Sequence, residues 1–170
     1  VAHALPTGAE TMADLARAVL ADAPPRFALA GLSMGGIVAM EVLRQATDRV
    51  ERLALLDTNA LAEAPEIAAR RAGQIARAMA GDLDGVMRDE MKPNYLADPS
   101  DTALLDLCMD MARSLGPEVF RRQSLALRDR PLPRAPRPQS DWQLRDLQDE
   151  VRTAAAAGID GFVLDIVQTT

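Results

Sequence analysis

The sequence is poor in several residue types, and each shortage excludes something. Among 170 residues there is one cysteine, Cys108, so neither an intrachain disulfide nor a cysteine-rich metal site can form. There is one histidine, His3, so at most one imidazole could serve catalysis or bind a metal, and it stands near the first residue. Basic side chains are outnumbered 25 to 19, and a net charge of −6 argues against nucleic acid or an anionic membrane surface as the main partner. The longest uncharged stretch, residues 27–40, is interrupted by Gly31, Gly35 and Gly36. It falls short of the roughly 20 apolar residues that a membrane span needs. No basic-then-apolar leader precedes the first polar residues, so the expected setting is cytoplasmic and soluble. Length and an apolar content of 48% fit a single domain with a real core.

What is present alternates between helical and strand patterns. Thr7-Gly8-Ala9-Glu10 has the spacing of a capping box, with Met12, Leu15, Val19 and Leu20 following on one helical face until Pro24-Pro25. Residues 26–31 (Arg-Phe-Ala-Leu-Ala-Gly) read as a short buried strand. Residues 34–46 return to helical spacing with Val38, Val42 and Leu43 inward and Glu41 and Arg44 outward. Residues 50–57 end in an apolar run suited to a second buried strand. Helix, strand, helix, strand in that order implies a parallel sheet, hence an α/β fold.

After Asn59 the character changes. Four helices are predicted, near 64–80, 82–91, 101–114 and 117–129, with Met79, Met87, Met91, Met109 and Met111 spread through them. These methionines suit either adaptable core packing or a mobile apolar lid. Residues 130–139 carry four prolines and read as an extended linker; a helix over 140–157 and a strand over 162–167 follow. The predicted organisation is core strands with a sharp turn over 1–60, a helical layer over 61–129, the linker, and a helix–strand tail over 140–170.

The chemistry concentrates at Gly31-Leu32-Ser33-Met34-Gly35-Gly36, a G-x-S-x-G pattern between the first strand and the next helix. Such a turn lifts the Ser33 hydroxyl clear of the sheet as a nucleophile. It places the Met34 amide at a helix N-terminus, ready to donate to an oxyanion. The glycines are expected because neighbouring backbone approaches closely. A tight glycine turn holding an ordinary serine is the alternative. Asp57, at the carboxyl edge of the second strand, is a candidate catalytic acid or else a turn aspartate; Asn59 could donate a hydrogen bond nearby.

These residues carry a resemblance. Through Pro25-Arg26-Phe27-Ala28-Leu29-Ala30-Gly31-Leu32-Ser33-Met34-Gly35-Gly36, then Arg49-Val50-Glu51-Arg52-Leu53-Ala54-Leu55-Leu56-Asp57-Thr58, residues 10–130 are similar to an α/β-hydrolase of the small esterase and lipase-like kind. The resemblance implies a partial α/β-hydrolase fold, with a short parallel sheet and the later helices as a cap over the active site. It implies a serine hydrolase of carboxylic esters or similar acyl substrates, with a small-molecule partner and no cofactor or metal. The family orders its triad serine, acid, histidine, and no histidine follows Ser33. His3 therefore cannot be carried over as the base, and the chain alone is not expected to be competent. A part of a larger hydrolase domain is the expectation, with a non-catalytic remnant as the alternative.

Beyond residue 130 the family pattern stops. Ala154-Ala155-Ala156-Ala157-Gly158-Ile159-Asp160-Gly161-Phe162 resembles a helix–strand unit of a barrel glycoside hydrolase. That change places a junction at the proline-rich stretch, of the kind a frameshift, fusion or assembly error produces. Alternatively the tail adds a strand to the sheet, and Ser33 with Asp160 or Asp165 forms a dyad like that of the patatin-like lipases. A sheet without its neighbours exposes apolar edges, so poor solubility is expected. Oligomeric state is not specified by these patterns.

Overall fold

The computed structural model describes residues 1–92, 96, 98 and 100–130. The predicted linker, the helix over 140–157, the strand over 162–167, Asp160 and Asp165 all lie outside the described residues. The chain divides into two compact units, one holding residues 1–6 and 12–62, the other residues 7–11 and 63–130.

The first unit is an α/β layer. Helix α1 (Met12–Asp22) leads to strand β1 (Phe27–Leu32), helix α2 (Met34–Gln45) and strand β2 (Val50–Leu56), with a single turn of 3₁₀ helix at Thr47–Arg49 before β2. The strands form a two-stranded parallel sheet, with Leu29 opposite Leu53 and Leu32 opposite Leu56. Parallel pairing needs a crossover, and α2 supplies it. Met12, Leu15 and Ala16 of α1 and Val38, Ala39 and Val42 of α2 are buried together with Val50. Burying an aliphatic side chain of this size contributes about 1.5–3 kcal/mol.

Three expectations are corrected here. The capping box does not form: α1 begins at Met12, and Glu10 instead pairs with Arg121 at 2.5 Å while the Thr7 carbonyl accepts from Arg122 at 3.4 Å. The strands are not buried on both faces. Phe27, Leu29, Leu53 and Leu55 are half-buried, whereas Ala28, Ala30, Leu32, Ala54 and Leu56 on the other face are exposed. Among the described residues, α2 contacts both strands, and the face bearing Leu32 and Leu56 stays exposed. Finally, Glu41 is not outward: its side chain is 12% exposed, accepting from Arg44 Nε at 2.7 Å and Gln45 Nε2 at 2.8 Å. The same Gln45 amide donates to the Ala13 carbonyl, tying α2 to α1.

The second unit is helical. Helix α3 (Pro65–Arg77) opens with proline at its start, where a missing N–H costs nothing. It continues through wider π turns at Ala78–Asp82, the short α4 (Leu83–Gly85) and π turns at Val86–Met91. Gly81 (φ 100°) breaks this run, and Asp82 restarts it by accepting from the Gly85 amide at 3.2 Å. Helix α5 (Thr102–Arg128) is capped by Asp101, which accepts from the Leu104 amide, and is broken by Gly116 (φ 78°) before Pro117. Both breaks match the predicted gaps between helices. Ala78, Leu83, Met87 and Met109 form the core, with Met91, Leu105, Ala112 and Phe120 packed against it. Three of the five methionines are thus packing residues, while Met79 and Met111 are exposed.

Candidate active site

The site is built where β1 turns into α2. Ser33 has φ 50° and ψ −117°, a backbone conformation outside the regions open to residues with a side chain. Holding it there costs about 1–3 kcal/mol, so the surroundings must over-determine it. They do. The Ser33 amide donates to the Leu56 carbonyl at 2.9 Å, and the Ser33 carbonyl accepts from the Gly36 amide at 3.0 Å and the Ile37 amide at 3.4 Å. An ordinary serine before a helix would sit in extended backbone and cap the first amides with its hydroxyl. Ser33 is exposed, and its hydroxyl makes no capping bond.

The glycines divide into two kinds. A Cβ on Gly31 would lie 2.5 Å from the Gly35 carbonyl carbon and the Gly36 nitrogen, both backbone atoms that cannot move aside. A Cβ on Gly36 would lie 2.8 Å from Thr58 Cβ and Cγ2. Gly35 is different and corrects the sequence reading: a Cβ there would meet nothing within 4 Å. The close approach that the turn demands is made by Gly31 and Gly36 alone.

The first turn of α2 leaves amides without intrahelical acceptors. Gly36 and Ile37 use the Ser33 carbonyl, so among the described residues Met34 and Gly35 retain the unbonded donors at this N-terminus. Asp57 follows β2 directly, as Ser33 follows β1. Since Leu32 pairs with Leu56, the two residues leave the carboxyl edge of the sheet side by side. Asp57 is exposed and also has positive φ, 46°, which aspartate tolerates better than most residues. Two strained residues thus flank one edge, and among the described residues they are the two non-glycine positions with positive φ. Asn59 Oδ1 accepts from the Leu61 amide at 2.9 Å, a local turn bond. His3 is exposed.

One residue at this edge was missed from sequence. Thr58 is half-buried, and its hydroxyl lies 3.1 Å from the Ser33 carbonyl and 3.0 Å from the Leu56 carbonyl. A β-branched hydroxyl residue just past a strand at the turn's own edge is the one signal that could have shown it.

Compared with known protein families, residues 2–115 match the thioesterase domain. The chain belongs to the thioesterase domain family. Two solved structures support the same fold for this thioesterase domain. A thermophilic esterase from Thermogutta terrifontis, solved with malate bound, is 26% identical with a TM-score of 0.59, over 75% of this chain and 49% of its own. A hydrolase from Pseudomonas aeruginosa is 27% identical with a TM-score of 0.54, over 74% of this chain and 49% of its own. The chain therefore spans about half the length of these two structures. No curated protein sequence matches it significantly. The expected α/β-hydrolase resemblance is thus met, and the esterase-like class of the domain with it.

Among the described residues no helix is long and apolar enough to cross a membrane.

Proposed function

We propose that this thioesterase domain carries the nucleophile of a serine hydrolase acting on small acyl substrates, carboxylic esters or thioesters. The observation that carries the reading is the backbone of Ser33, strained at a strand-to-helix turn with its hydroxyl exposed and uncapped. In the proposed step, Ser33 Oγ bonds to the acyl carbon and its proton passes to a base. The carbonyl electron pair moves to oxygen, where the Met34 amide stabilises it. Collapse expels the alcohol or thiol, which regains the proton; water then releases the acid by the same route. Asp57 is the acid in this reading, standing beside Ser33 at the sheet edge. The base is assigned to no described residue, because the one histidine, His3, precedes the turn and is exposed.

That missing base favours a second reading, a non-catalytic member of the family, and one experiment separates the two. A fluorophosphonate probe forms an Oγ–P bond to an activated serine and releases fluoride, while added imidazole can take the proton. The proposal expects imidazole-dependent labelling of the folded chain that vanishes in Ser33→Ala. Labelling that persists in Ser33→Ala, or none at any imidazole concentration, would overturn the assignment of Ser33 as the nucleophile.

A further inference from the structure

We infer that Thr58 is a positioning residue for Ser33, holding the turn in its strained conformation through its single hydroxyl proton; the inference rests on the nucleophile reading above. Three observations converge on it. The Thr58 hydroxyl lies 3.1 Å from the Ser33 carbonyl and 3.0 Å from the Leu56 carbonyl, so its one proton has both acceptors within hydrogen-bond distance. The Leu56 carbonyl also accepts from the Ser33 amide at 2.9 Å, so both polar groups of the Ser33 backbone are fastened to the end of β2. The Thr58 side chain also fills the space against Gly36, where a Cβ would lie 2.8 Å from Thr58 Cβ and Cγ2.

The consequence is directional. The Ser33–Met34 peptide carries both the Ser33 carbonyl that Thr58 holds and the Met34 amide that faces the other way. A hydrogen bond to that carbonyl therefore fixes the aim of the amide as well as the position of the hydroxyl. Without the Thr58 proton, the Ser33 carbonyl keeps the amides of Gly36 and Ile37, so the helix survives while the peptide plane gains freedom. A loss of aim with the fold intact is the signature expected of a positioning residue.

The test compares wild type, Thr58→Val and Thr58→Ser by imidazole-supported fluorophosphonate labelling and by amide hydrogen exchange at Ser33. Valine keeps the shape and loses the proton; serine keeps the proton. Small misplacements of reacting groups cost large factors in rate, so Thr58→Val is expected to label about tenfold more slowly at an unchanged melting temperature. Its Ser33 amide should exchange faster, and Thr58→Ser should restore both quantities. If Thr58→Val does not fold, Thr58→Ala carries the same expectation. Wild-type labelling with Thr58→Val equally fast would overturn the role of Thr58 and leave Ser33 standing. No labelling of wild type would overturn the nucleophile reading, and the positioning role with it.

Discussion

At the residue scale, Ser33 shows how a strained backbone can be recognised from its neighbours. Gly31 and Gly36 lack side chains because backbone and Thr58 atoms occupy the space a Cβ would need. Gly31→Ala should therefore destabilise the protein by at least the about 1–3 kcal/mol typical of overpacking, since the clash is with backbone. Gly35→Ala meets open space inside a helix and should be neutral or stabilising by up to about 1 kcal/mol. Urea unfolding of the two variants side by side checks the contrast. Equal destabilisation would mean that the turn needs Gly35 as much as Gly31. The G-x-S-x-G pattern was legible because its spacing is local. Which glycines are required was not, because the atoms that exclude a Cβ at Gly36 belong to Thr58, beyond β2.

At the element scale, two polar contacts of the first unit carry testable energetics. Arg49 donates to the carbonyls of Leu20 at 3.1 Å, Ala23 at 2.7 Å and Pro24 at 2.9 Å, satisfying acceptors that the end of α1 leaves open. Its guanidinium also stands 5.7 Å from the centre of the Phe27 ring. Arg49→Met should cost about 1.5–3 kcal/mol, the scale of a hydrogen bond to a charged group, measurable by urea unfolding. The second contact is titratable. The Arg44 hydrogen bond holds Glu41 below its ordinary value, burial opposes this, and Gln45 adds to it. A lowered folded value means stability that is complete above the ordinary glutamate range, about 4.3, and is lost as pH falls through the lowered value. Glu41→Gln should therefore flatten the acid limb of stability against pH below about pH 4.3 and leave its neutral plateau slope unchanged.

Element by element, the legible features were those with local causes. The breaks at Gly81 and Gly116–Pro117 could be read because glycine and proline punctuate helices by their own backbone preferences. The Thr7–Glu10 spacing misled because Arg121, 111 residues away, takes the carboxylate that a capping box would use. Glu41 misled for a related reason: a charged residue on a helix reads as outward until a partner such as Gln45 accompanies it inward.

At the scale of the whole molecule, the two units carry separate cores, one centred on Leu15, Val38 and Val42 and the other on Met87 and Met109. The open face of the sheet is the largest departure from the predicted buried strands. Leu32 is 65% exposed and Leu56 50%, beside Ala28, Ala30 and Ala54. An apolar sheet face that is exposed among the described residues favours self-association. Sedimentation velocity should show assemblies growing with concentration, and Leu56→Lys should reduce them. A strictly monomeric wild type across the concentration range would remove this expectation.

The sequence alone determined the α/β order, the parallel pairing, the helix breaks and the turn at Ser33. Each follows from periodicity, glycine and proline, which act over a few residues. Only the tertiary structure decided that Ser33 is strained and uncapped, that Asp57 stands beside it and that Thr58 fastens its backbone. Those facts depend on the register of β1 against β2, which sets residues 25 positions apart within hydrogen-bonding distance. The one histidine, His3, is exposed and precedes the turn, so the proposed role of Ser33 rests on its backbone geometry and not on a neighbouring imidazole.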